Sequence, residues 1–213
     1  MEQQDFKKQL DELRDMIING ISYFSAWYGI ANLNDRSAHA LNRYRGFFLP
    51  AQLSLKQMAL LQFAKVFDRD PRTVSFYNLL SAAKNNPKLL VPYAKEHDLQ
   101  NLESKITSND ELLSHLKSYR DQRLAHHDKV VSRDTSLPFG KVRQLVDDVE
   151  DMYNSLGDWH EGSVTSFDFM SREAEKHTSE VIEIMLIELT CKERDRARQR
   201  IKGTNGRIGG GKT

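Results

Sequence analysis

A short segment of the chain combines the side chains needed to cleave a phosphodiester. Residues 119–129 read Tyr-Arg-Asp-Gln-Arg-Leu-Ala-His-His-Asp-Lys. An imidazole has a pKa near neutrality, so His126 or His127 can both accept and donate a proton. A guanidinium stays charged and matches phosphate oxygens, which suits Arg120 and Arg123. RNA supplies its own nucleophile, the 2′-hydroxyl, so we expect cleavage without a metal ion or other cofactor.

The same cluster has a purely structural alternative. Basic side chains favour the C-terminal ends of helices because they oppose the helix dipole there. Composition alone therefore makes this segment a candidate site and leaves a plain helix end as the competing interpretation.

Helix geometry also leaves open which histidine works with Arg120. Residues seven apart share a helix face, whereas residues six apart are separated by about 120°. Arg120 thus aligns better with His127 than with His126, and Arg123 aligns with either histidine. A helix that frays near Ala125, or a cleft shared by two chains, would remove the conflict.

Hydrophobic periodicity predicts that helices surround this segment. Apolar residues recur every three or four positions over about 5–30 and 37–67, and Pro50 should kink the second stretch or mark a second start. The apolar face of that second stretch is predicted to consist of Tyr44, Phe47, Leu55, Met58, Leu61 and Val66. Thr73 or Ser75 should cap a third helix, and residues 88–107 suggest short helical pieces.

The second half of the chain shows the same pattern. Ser108-Asn109-Asp110-Glu111 matches a capping box, so a helix leading to the candidate site should begin there. A later helix should end at Gly157, and the last should start within 162–165. Its inward residues are predicted to be Ala174, Val181, Ile184 (or Met185) and Leu189. No stretch has the alternation of a strand, so the fold class is all-α, a single helical bundle.

Composition limits the class of protein. The chain has 213 residues, a formal net charge of +1 and one cysteine, Cys191. We expect one domain over 1–202 and a flexible, disordered basic tail over 203–213. The polar N-terminal residues do not resemble a signal peptide, and no apolar run is long enough to span a membrane, which favours the cytoplasm.

The candidate segment resembles the signature of the HEPN superfamily, an arginine, four to six residues and a histidine. Here these are Arg120 and His126, with the polar Asp121 directly after the arginine. The form Tyr-Arg-Asp-x-x-Leu-Ala-His is similar to the abortive-infection branch called AbiU-like. The sequences Val66-Phe67-Asp68-Arg69-Asp70 and Ser75-Phe76-x-x-Leu79-Leu80 also resemble that branch.

The resemblance implies a helical bundle that dimerises, with the motif helices of two subunits forming a composite ribonuclease cleft. Catalytic members cut RNA and leave cyclic phosphate ends, and many act as toxins or antiviral effectors. By this resemblance His126 is the general acid/base, with His127 in reserve, and Arg120 stabilises the phosphate. Asp121 orients Arg120 or His126.

Further predictions about partners follow from the segment. Arg123 and Lys129 are expected to contact RNA phosphates, although for Lys129 a solvated surface charge is the better explanation. An antitoxin or another defence-system protein is a possible partner. Some HEPN toxins have a modifiable tyrosine two residues after the histidine; here that residue is Asp128, so this form of control is not supported.

Other patterns are set aside. Gly206 to Thr213 matches a phosphate-binding loop literally, but such a loop needs a strand before it and a helix after it. Adjacent His126 and His127 diverge on a helix, so no metal site is expected. The other five histidines read as surface or boundary residues: His39, His97, His115, His160 and His177. The alternative function is a non-catalytic helical module for dimerisation or RNA binding, or an adaptor in a defence complex.

Overall fold

The computed structural model describes residues 1–32, 35–119, 121 and 139–208. Within these ranges it is all-α, and strands are absent. The helices, in chain order, are α1 Gln3–Ala31, α2 Asp35–Arg43, α3 Arg45–Val66, α4 Phe76–Asn85, α5 Pro87–Leu90, α6 Glu96–Ser108, α7 Asp110–Tyr119, α8 Phe139–Glu161 and α9 Asp168–Ile208. The predicted all-α fold class is confirmed.

The first helix forms the centre of the bundle. α1 has a buried stripe at helical spacing, formed by Phe6, Leu10, Leu13, Ile17, Ile21 and Phe24. It packs mainly against α3 and α9. A Cβ atom on Gly20 would lie 3.0 Å from the Phe63 ring of α3, and one on Gly29 would lie 3.2 Å from Thr178 of α9. Small residues therefore allow both neighbouring helices to approach α1 closely.

The second predicted segment divides at Tyr44 and not at Pro50. α2 ends at Arg43 and α3 begins at Arg45, so Pro50 lies inside α3. The predicted apolar face is partly wrong: Phe47 is 69% exposed, and Tyr44 and Met58 are also exposed. Periodicity located the helix and the buried Val66, but not the rest of the buried side, which is formed by Phe48, Ala59, Leu60, Phe63 and Ala64.

The capping predictions had mixed outcomes. Ser75 caps α4, because its hydroxyl accepts a hydrogen bond from the backbone N–H of Asn78. α7 begins at Asp110, close to the expected start. The Ser108 hydroxyl, however, donates to the carbonyl oxygen of Lys105 in the preceding helix. The turn between α6 and α7 thus uses Ser108 to end one helix and not to start the next.

The end of α8 was predicted wrongly. Gly157 lies inside the helix, which continues to Glu161. Gly162 follows with φ +68°, the left-handed conformation that terminates helices and favours glycine. α9 then starts at Asp168, later than predicted. His160, in the last turn of α8, is only 5% exposed, so the expectation that it is a surface or boundary residue is wrong. Its Nδ1 lies 2.5 Å from the carbonyl oxygen of Leu90.

The last helix differs most from expectation. α9 has 41 residues and is about 60 Å long at 1.5 Å per residue. Ile182 is buried, whereas Val181 is 53% and Ile184 66% exposed, so the prediction is wrong for these two; the alternative Met185 is half-buried. The helix continues to Ile208, and residues 209–213 lie outside the described part. No described helix has the length and apolar character needed to cross a membrane.

Gly140 at the start of α8 and Gly162 directly after its end give opposite expectations for stability. Gly162→Ala should lower the free energy of unfolding by about 1 kcal/mol, because alanine is strained at positive φ. Gly140→Ala, in the first turn of α8 with nothing within 4 Å of the new Cβ, should raise it by about 0.5 kcal/mol. Urea denaturation measures both; equal effects of the two substitutions would contradict the assignment of the helix end.

Candidate functional site

The helix before the candidate motif is fixed by burial. Leu112, Leu116 and Tyr119 of α7 are 4%, 1% and 7% exposed. They are three or four positions apart, so they form one face of the helix. Tyr119 directly precedes Arg120 in the chain. The buried face therefore determines the axis along which α7 approaches the motif.

Most of the motif falls outside the described residues. This applies to Arg120, Arg123, His126, His127 and Lys129, and the convergence of Arg120 with His126 stays a prediction. Asp121 is described and is half-buried at the C-terminal end of α7.

The first turn of α7 is held from two sides by polar contacts. The Lys141 ammonium of α8 donates to Glu111 over 3.0 Å and lowers the pKa of that carboxyl group. The Asn109 amide donates to Asp148 of α8 over 3.1 Å. On the other side, Asp110 accepts hydrogen bonds from Arg69, in the loop before α4, and from Tyr77 of α4. These contacts place the start of α7 beside the start of α8.

Three side chains distant in sequence form one network at this helix start. Arg69 Nη2 donates to the Tyr77 hydroxyl and to Asp110 Oδ1, both over 2.9 Å. The Tyr77 hydroxyl donates to the same oxygen of Asp110 over 3.0 Å. The Arg69 guanidinium also lies 4.7 Å from the centroid of the Tyr77 ring, a cation–π contact. We call Arg69, Tyr77 and Asp110 the Arg–Tyr–Asp network.

The protonation states suit these bonds. Burial is the main reason that the pKa of Tyr77 is raised, so its hydroxyl keeps the proton that it donates. The pKa of Arg69 is raised, first by its hydrogen bond to Tyr77 and also by the Asp110 carboxylate. In the neighbouring loop, the side chain and backbone of Arg72 hold the pKa of Asp70 at about 2. The loop between α3 and α4 is thus an ordered, charged turn.

The network lies at the wall of a cavity of about 300 Å³. Its walls come from the end of α3 and the following loop, from α4 and from α7, and consist of Ala64, Phe67, Asp68, Arg69, Tyr77, Asp110, Leu113, Ser114, Leu116 and Lys117. Sequence reasoning missed this cavity. At the sequence level, Asp68, Arg69 and Asp70 entered only as part of the family resemblance, and Asp110 only as part of a cap. Neither spacing nor residue type indicates that positions 69, 77 and 110 meet.

The comparisons with known proteins give one family. The protein-family model described as HEPN_AbiU2: AbiU2 matches residues 3–181 of the chain, which include the complete motif segment. The comparisons with curated proteins and with solved structures produced no significant match.

The Arg–Tyr–Asp network should contribute little to folding. Arg69 and Asp110 are 64% and 44% exposed, and exposed ion pairs contribute at most about 1 kcal/mol. Arg69→Met is therefore expected to lower the free energy of unfolding by less than about 1 kcal/mol in urea denaturation. Phe76→Ala, at a fully buried position, is the positive control and should cost about 3 to 5 kcal/mol. A loss above about 2 kcal/mol for Arg69→Met would instead make the network a structural tie.

Proposed function

The chain belongs to the HEPN_AbiU2 family, and on that premise we propose that it is a metal-independent endoribonuclease. Its biological setting would be phage defence by abortive infection, or action as a toxin. The observation that supports this most directly is the match of the family over 3–181, which includes an arginine and a histidine at the signature spacing.

The proposed chemistry needs one proton-transfer group and one cation at the scissile phosphate. His126 takes the proton from the RNA 2′-hydroxyl, whose oxygen then attacks the adjacent phosphorus. The P–O bond to the 5′ oxygen of the next nucleotide breaks, and the protonated His126 returns its proton to that oxygen. The products are a 2′,3′-cyclic phosphate and a free 5′-hydroxyl. Arg120 stabilises the charge on the phosphate oxygens.

The remaining motif residues have supporting roles in this proposal. Asp121 orients Arg120 or His126, and its half-buried position at the end of α7 is compatible with that role. His127 is the reserve for His126, because it shares a helix face with Arg120 on an ideal helix. Arg123 and Lys129 bind flanking phosphates as cations.

We further propose that the enzyme is a homodimer. Val181, Ile184 and Ile187 of α9 are 53%, 66% and 64% exposed and three residues apart, so they form one apolar stripe. Phe47 and Leu53 of α3 are 69% and 53% exposed. Exposed apolar surface of this kind is typical of association sites. A second copy is the proposed partner, because a composite cleft requires the motif helices of two chains.

Removing either motif side chain should abolish cleavage. His126→Ala and Arg120→Ala are each expected to reduce the rate of cleavage of a labelled RNA in EDTA by about 10²-fold or more, and to relieve any growth inhibition on expression. His115→Ala is the matched control, since His115 is an exposed histidine of α7 outside the motif. His127→Ala tests the reserve residue.

The outcomes separate the two candidate functions. Undiminished cleavage by the His126→Ala/Arg120→Ala double variant in EDTA would sink the catalytic assignment. Wild-type protein that shifts RNA in a gel but never yields cyclic phosphate ends would favour the alternative, a non-catalytic RNA-binding module. Co-purification with a fixed partner would favour an adaptor.

Co-expression of two inactive chains tests the composite cleft. If Arg120 of one chain works with His126 of the other, a heterodimer of the Arg120→Ala and His126→Ala chains has one intact site and one doubly defective site. Random pairing should then restore about a quarter of wild-type cleavage. If both residues act within one chain, every site contains a lesion and no activity should return. Light scattering gives the mass of each species.

A further inference from the structure

The cavity next to the Arg–Tyr–Asp network lies on the helix that leads to the motif. Ser114 and Lys117 of α7 line it, and Lys117 precedes Asp121 by one helical turn. Four residues correspond to about 6 Å along a helix axis. Asp121, a described residue of the motif segment, therefore lies close to the α7 wall of this cavity.

Arg69 is ordered although it is largely exposed. Two hydrogen bonds and the Tyr77 ring fix its guanidinium, yet 64% of the side chain faces solvent. Exposed ion pairs add little to stability because ordering the side chains offsets much of the attraction. The arrangement is better explained as the pre-orientation of a cation for a ligand. The Tyr77 ring contacts the guanidinium, and the solvent-exposed part of the side chain leaves room for a planar ring of a ligand.

The remaining polar groups of the cavity define the ligand. No ion-pair partner for Lys117 exists among the residues that the structure describes, and the recorded contacts of Asp110 all use Oδ1. The cavity thus offers acceptors and donors together with apolar walls from Phe67 and Leu113. The two cations of the cavity, Arg69 and Lys117, are balanced by two carboxylates, Asp68 and Asp110. This charge balance disfavours binding of a simple anion such as inorganic phosphate. A nucleotide has all the complementary features, namely a stacking face, a base edge with donors and acceptors, and one phosphate.

We infer that this cavity binds one unstacked nucleotide of the single-stranded RNA next to the cleaved phosphodiester. The base stacks on the Arg69 guanidinium, its edge bonds to Asp110, and its phosphate pairs with Lys117. This inference rests on the proposed ribonuclease function, since it extends the substrate path of that site. It adds a recognition element outside the motif and predicts that residues of α4 and of the loop before it influence RNA affinity.

Binding of a labelled RNA tests the inference. The probe is a fluorescein-labelled single-stranded RNA, measured by anisotropy against full-length protein with His126→Ala present to prevent cleavage. Lys117→Gln should weaken binding roughly tenfold and reduce the slope of log K against log salt by about 0.7. Ser114→Trp, which fills the cavity from an exposed position, should weaken binding comparably. Lys65→Gln, an exposed lysine of α3 outside the cavity, is the matched control and should bind as the parent does.

A second measurement separates this inference from the ribonuclease proposal. Chemical shifts of Tyr77 and of the Arg69 Nε–H are followed as each of the four nucleoside 5′-monophosphates is added. Shifts that disappear in Ser114→Trp, together with weaker RNA binding, support the nucleotide site even if the wild-type protein never cleaves RNA. Cleavage and binding by Lys117→Gln and Ser114→Trp at wild-type levels would overturn the nucleotide site and leave the ribonuclease intact. The RNA site would also be overturned if nucleoside monophosphates shift the Tyr77 and Arg69 signals but both variants bind RNA as tightly as the parent. The cavity would then bind a free nucleotide and not a nucleotide of the RNA.

Discussion

The burial of one face of α7 is the constraint on which the site depends. Leu112, Leu116 and Tyr119 lie in the same core as α1, so α7 cannot rotate about its axis without exposing them. Burying side chains of this size contributes about 1.5 to 3 kcal/mol each, which exceeds the contribution of any exposed ion pair on the helix. Apolar packing therefore fixes the orientation of α7, the helix that directly precedes the motif. Polar contacts at its first turn refine where it begins.

The last helix, α9, has one apolar face that is buried against α1 and another that is exposed to solvent. One side of α9 packs on α1, where Gly29 admits Thr178 and Ile182 is buried. The other side leaves Ile184 and Ile187 in solvent. A monomer gains nothing from such a stripe and risks aggregation through it. Association with a second copy would remove this cost and bring two motif-bearing chains together, as the proposed composite cleft requires.

The polar contacts near the site fall into two classes. Lys141 with Glu111, and Asn109 with Asp148, join α7 to α8 at the surface and act as local ties. The Arg–Tyr–Asp network instead borders a cavity and holds its cation exposed. Both kinds have similar bond lengths, so geometry of the bonds alone does not distinguish them. What distinguishes the Arg–Tyr–Asp network is the cavity beside Arg69, which has room for a ligand.

The sequence by itself determined the helical class, most helix positions and the motif, because periodic burial and short spacings are local properties of the chain. It also placed a helix cap at Thr73 or Ser75, of which the structure uses Ser75, and a helix start near Asp110. Only the tertiary structure decided which side of α3 and α9 is buried, since an apolar stripe looks the same whether its own chain or a partner covers it. The tertiary structure alone brought together positions 69, 77 and 110, because side chains so far apart in sequence meet only when the elements that carry them pack together.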